Sequence, residues 1–147
     1  MDNFNLIEVQ IKESTEVNCL LYEHNEESIL LIKIVGKCSY GSRGENYGEY
    51  LYQKIGLSLL TIQPLAVLVD MQDLEYQFGD RILKLFEIFS DVQIFDEEGI
   101  LTSFVLSDKN RFGLASLLRF DSENLKPPFF YNLAAAYQDL WSKYDKI

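Results

Sequence analysis

Apolar residues change their period along this chain. In the first 35 residues they follow the two-residue beat of strands. Leu6, Ile7, Val9 and Ile11 nearly alternate with polar neighbours, Val17 to Tyr22 is a second apolar run, and Ile29 to Val35 is a third, rich in β-branched residues. His24-Asn25-Glu26-Glu27 separates the last two runs as a polar turn, which places the only histidine in a solvated connection. The pattern predicts a meander of antiparallel strands.

The texture changes at Gly36. Gly36, Gly41, Gly44 and Gly48 mark a flexible loop, and from Glu45 the apolar positions Tyr47, Tyr50, Leu51 and Ile55 recur at helical spacing until Pro64 stops them. Leu65 to Asp70 is a nearly unbroken apolar run, as a central strand covered on both faces requires. Asp80 to Ser90 reads as a helix with Ile82, Leu83, Phe86 and Phe89 on one side, Leu101 to Leu106 as a strand, and Arg111 to Phe120 as a short helix. After Pro127-Pro128, the positions Leu133, Ala136, Tyr137, Leu140, Trp141 and Tyr144 form the stripe of a last helix that must dock on the body. Strands alternating with helices predict parallel crossover units and a sheet covered by helices. The expected fold is a single α/β domain over residues 1–147, its N-terminal antiparallel strands leading into a mixed sheet with helices packed on it.

Charge narrows the choice of partners. The 147 residues carry 13 Lys and Arg against 23 Asp and Glu, a net charge of −10, which disfavours nucleic acid and anionic membrane surfaces. The deficit is concentrated: residues 1–30 hold seven acids against one base, and residues 70–98 nine acids against two bases. The start, Met1-Asp2-Asn3-Phe4, has neither a basic nor an apolar leader region, and no apolar run is long enough to cross a bilayer, so a cytoplasmic protein is expected. Cys19 and Cys38 are too few for a disulfide framework and are expected to be reduced.

Reactive constellations are scarce. His24 has no nucleophile near it in sequence, and Gly36 and Gly41 mimic a phosphate loop only until Ser42, where the lysine should stand. No cofactor motif is present. Asp70, Asp73, Glu75 and Asp80 gather past the end of the central strand, where open α/β sheets place ligand sites, and could hold a divalent metal. Asp91, Asp96, Glu97 and Glu98 form a second acidic group in a helix-to-strand connection, suited to docking a basic protein. Aromatics at helical spacing, such as Tyr137, Trp141 and Tyr144, belong to a core. Tyr40, Tyr47, Tyr50 and Tyr52 are harder to bury together and suit an interface.

Three segments together resemble the STAS domains of anti-sigma-factor antagonists. They are Ile29 to Gly36 (ILLIKIVG), Leu65 to Tyr76 (LAVLVDMQDLEY) with Asp70 at the family's strand-end aspartate, and Pro127 to Leu140 (PPFFYNLAAAYQDL) as the closing helix. The resemblance implies a STAS-like fold and a role in protein binding. Where that family carries a phosphorylatable serine or threonine, this chain has Phe78-Gly79-Asp80-Arg81-Ile82, so Asp80 is expected to cap the next helix or to stand as a fixed negative charge.

These readings converge on a non-catalytic protein-binding module. Its sharpest form is a bacterial immunity or inhibitor protein that occludes a basic toxin or effector with Asp91, Asp96, Glu97, Glu98, Asp73, Glu75 and Asp80. The alternatives are a STAS-type module in a signalling partner-switch, and a metal-dependent enzyme built on Asp70, Asp73, Glu75 and Asp80. Charge reversal at Asp96, Glu97 and Glu98 is expected to slow association with a basic partner and flatten its salt dependence in stopped-flow measurements. An unchanged on-rate removes that patch from the interface.

Overall fold

The computed structural model describes residues 3–8, 16–39, 46–91 and 100–144. Its strands and helices run β1 (Phe4–Ile7), β2 (Val17–His24), β3 (Ile29–Lys37), α1 (Tyr47–Ile62), β4 (Ala66–Asp70), β5 (Leu74–Glu75), α2 (Leu83–Asp91), β6 (Leu101–Val105), α3 (Arg111–Leu118), β7 (Phe129–Phe130) and α4 (Leu133–Tyr144). One sheet has the order β1-β2-β3-β4-β6-β7, with β5 beside the end of β3. The first three strands are antiparallel, and β3, β4, β6 and β7 are mutually parallel. The mixed sheet expected from the change of period is therefore present. Val9 and Ile11 lie outside the described residues.

Alternation along each strand assigns side chains to two faces. On one face, Val17, Cys19 and Leu21 of β2, Leu30, Ile32 and Ile34 of β3, and Val67 and Val69 of β4 meet Leu51, Ile55 and Leu59 of α1 and Leu85 and Ile88 of α2. On the other, Phe4, Ile29, Leu31, Ala66, Leu68 and Val105 meet Ala136 and Leu140 of α4. Every residue of β4 is buried, as a central strand covered on both sides demands. Tyr47 and Tyr50 belong to this core rather than to a tyrosine surface. Helical geometry turns both toward the sheet, where the Tyr50 hydroxyl accepts the Cys19 amide at 3.0 Å. Tyr52 is half-buried and Tyr40 lies outside the described residues.

Element ends follow local chemistry. Asn46 caps α1 by accepting the Glu49 amide, and Gln63, left-handed at φ 53°, returns its amide to Leu59 before Pro64 forbids another turn. Gly36 does not end β3 but stays within it, at φ 124°. A Cβ there would stand 2.1 Å from the Glu16 carbonyl oxygen, so only glycine lets strand and preceding chain approach. Cys19 and Cys38 are both buried, and neither is in a disulfide. No helix among the described residues is long and apolar enough to cross a membrane.

His24 is not a solvated turn residue. Its Nδ1 accepts the amides of Glu26 and Glu27 at 3.1 and 3.0 Å, its Nε2 lies 3.2 Å from the Tyr137 hydroxyl, and its ring meets Phe4 edge-on. With Nδ1 accepting, the neutral ring carries its proton on Nε2 and donates to Tyr137. Three elements distant in sequence converge there, a packing that local polarity could not reveal. Tyr144 adds a second tether by accepting the Ser28 amide at 3.0 Å.

Leu140 is the apolar anchor of α4. Leu140→Ala is expected to cost about 2–5 kcal/mol in urea unfolding, the range for a fully buried leucine whose neighbours cannot close the cavity.

Candidate functional site

The carboxyl ends of the parallel strands carry the polar side chains. Strand β4 stops at Asp70 and the lane resumes at β5, after a three-residue excursion Met71–Asp73. The Met71 amide still donates to Val105, and the Leu74 amide donates back to Met71. The carbonyls of Met71 and Leu74, at the two ends of the excursion, take side-chain donors. Asn110, 1% exposed, supplies them: its Nδ2 donates to the carbonyls of Met71 at 2.6 Å and Leu74 at 2.9 Å, while its Oδ1 accepts the Ser107 amide at 3.1 Å. Ser107 Oγ donates to the Gln72 carbonyl at 2.8 Å. The β6–α3 connection thus clamps the β4–β5 break, and the buried amide uses both of its donors and its acceptor oxygen. In the sequence Asn110 carries no sign of this role beyond its place directly before Arg111, a natural helix-cap position. The side chain reaches across the sheet instead and makes no cap bond.

The excursion separates the four clustered carboxylates. Asp70 is 7% exposed and shares its side of β4 with Ala66 and Leu68, and its Oδ1 accepts the Gln72 amide at 3.1 Å. Burial pushes its carboxyl above the ordinary range, against the Gln72 amide and the Lys33 charge, which pull it down. Asp73 is carried outward to Lys33 at 3.6 Å and Lys109 at 4.0 Å. Exposed pairs of this kind contribute little stability, but they compensate the charge of Asp73. Glu75 is exposed on β5, and among the described residues it pairs with no cation. Asp80 is exposed beyond the next turn.

Among the described residues no three His, Cys, Asp or Glu side chains come close enough to share a metal ion. The metal centre that the alternative reading would build from Asp70, Asp73, Glu75 and Asp80 is not assembled among the described residues: the broken strand sends carboxylates close in sequence in different directions. Of the second acidic group, one member has a described place in the fold. Asp91 is the last residue of α2, and Asp96, Glu97 and Glu98 lie outside the described residues.

Beyond β5, Tyr76 fixes the turn. Its buried hydroxyl donates to the Gly79 carbonyl at 2.6 Å, and burial, reinforced by the nearby Cys38 and Asp80, pushes it up to about 12, so it remains a donor. The neighbouring Cys38 thiol is likewise pushed up to about 12 by burial, which keeps it protonated and unreactive. Gly79 takes φ 115°, and Phe78 beside it stands 54% exposed. Helix α2 begins at Leu83, not Asp80. The Asp80 carbonyl accepts the Leu83 amide in a preceding turn, and its carboxylate remains in solvent. Helix α3 adds an exposed aromatic, Phe112. Arg111 stacks between it and Tyr131, at 4.6 and 5.3 Å from the ring centres, and donates to Asp108 at 2.9 Å.

No family model matches the sequence, and no curated protein matches it. Among solved structures, the crystal structure of an anti-sigma factor antagonist from Mycobacterium paratuberculosis aligns with a TM-score of 0.62, covering 89% of this chain and 99% of that one. The chain has the STAS fold. At 14% identity the likeness is one of architecture. In this fold Phe78 to Asp80 form an exposed connection locked by Tyr76.

Two outcomes test this geometry. Asn110→Ala is expected to cost about 1–3 kcal/mol in urea unfolding, and Asn110→Asp more, because a carboxylate would face two carbonyl oxygens. For Asp70 the raised folded-state value means that folding favours the protonated acid. The ionised form therefore costs stability at neutral pH, and the cost fades as pH falls below the ordinary carboxylate range. Asp70→Asn, which keeps the oxygen that accepts Gln72, is expected to melt above the parent at pH 7, with the difference closing towards about pH 3.5 in thermal scans.

Proposed function

We propose that this chain is a non-catalytic regulatory module that works in the cytoplasm by binding another protein. The observation that carries the reading is the STAS architecture over nearly the whole of an anti-sigma factor antagonist, a protein whose name describes action on a protein partner. The carboxyl end of the sheet supports it. Aromatics and carboxylates stand exposed there on a backbone clamped by Asn110, and a preorganised surface of this kind favours binding. In this reading Asp73, Glu75 and Asp80 face the partner. With Phe78-Gly79-Asp80 in the place of a hydroxyl-bearing turn, switching does not run through phosphorylation at that position.

A second, finer reading is favoured by charge. With a net charge of −10, the chain suits an inhibitor or immunity protein that covers a basic toxin or effector, Asp91, Asp96, Glu97 and Glu98 adding to the same attraction. Affinity capture with the tagged chain from its native host, followed by stopped-flow association with the captured protein, separates the readings. A basic partner gives an on-rate that falls about tenfold or more between low and high salt, whereas a signalling partner held chiefly by apolar contacts gives a nearly flat one. Turnover of a substrate by the purified chain overturns both.

A further inference from the structure

Between β5 and the start of α3 lies a recess of about 310 Å³. Its walls include Glu75, Asp108 and the ring of Phe112. Its charges are not equally available. Lys109 leans to Asp73, and one oxygen of Asp108 holds Arg111, which leaves Glu75 as the carboxylate that pairs with no cation among the described residues. The volume is at the small end of ligand pockets, a size for one long side chain.

The rim is aromatic. Phe112 is 52% exposed, and Tyr131, 46% exposed, joins it across the Arg111 guanidinium. The backbone after β5 packs directly on α3: a Cβ on Gly113 would stand 2.4 Å from the Gln77 carbonyl oxygen. Phe112, one of the seven large exposed apolar side chains among the described residues, thus lines a recess with an uncompensated carboxylate. Exposed aromatics around a small pocket are the composition of an interface centre rather than of ordinary surface.

Resting on the protein-binding reading above, we infer that this recess receives an arginine side chain of the partner protein, its guanidinium on Glu75 and the free side of Asp108 and its flat face against Phe112. Arg111 already shows the chemistry on the next turn of surface, where a guanidinium is held by a carboxylate and stacked on the same aromatic ring.

The test uses the full chain and amide NMR. Acetylated, amidated Gly-Arg-Gly is titrated in, with Gly-Glu-Gly as the control. Saturable shifts confined to residues 75–77 and 108–113 are expected for the arginine peptide alone, weakened about tenfold by Glu75→Gln and similarly by Phe112→Ala. Both residues are exposed, and the unperturbed remainder of each variant's spectrum reports its folding. Shifts that never saturate, that fall elsewhere on the acidic surface, or that persist unchanged in Glu75→Gln overturn the assignment. If Glu75→Gln and Phe112→Ala leave the affinity for a captured partner unaltered, this recess is not the anchor while the protein-binding reading stands. If the purified chain instead turns over a substrate, it is that reading which fails.

Discussion

One buried amide holds the carboxyl edge of this fold together. The central strand lane is broken between Asp70 and Leu74, and in a parallel sheet such a break strands backbone carbonyls in a water-poor layer. Asn110 repairs it from the far side of the lane with two donors and one acceptor, and in doing so fixes the β6–α3 connection. The direction of Asp73, the exposure of Glu75 and the seat of Phe112 all follow from where that connection is held. The cost of leaving such groups unpaired is what favours this one arrangement of the connection.

The amino end of the sheet is held by different means. There α4 lies across Ile29, Ala66 and Leu68, and two hydroxyls, of Tyr137 and Tyr144, tie it to His24 and to the Ser28 amide. Apolar contact supplies most of the adhesion, and the polar tethers choose its angle. The molecule is therefore pinned at both ends of its parallel strands, by an amide at one and by phenols and an imidazole at the other.

How much of this was legible depended on whether the signal was local. Ile29 to Val35 and Leu65 to Asp70 announced themselves because a strand covered on two faces must be apolar at every position. The stripe of Leu133, Ala136, Leu140 and Tyr144 announced α4 for the corresponding helical reason. Two-residue strands such as Phe129–Phe130 have no period to read, and β5 exists only because β4 ends early and leaves room beside Gly36. The acidic cluster was visible, but its geometry was not. Side-chain direction past Asp70 is set by a clamp from residue 110, some 40 positions away, and His24 owes its partial burial to Phe4 and Tyr137 on other elements.

The stacked ladder on α4 gives the molecule an optical handle of its own. Trp141, the single indole of the chain, lies between Tyr137 and Tyr144, with ring centres 6.2 and 5.5 Å away. Its emission is consequently a spectroscopic readout of how one helix sits at the amino end of the sheet. Events at the opposite edge reach it only by travelling through the strands themselves.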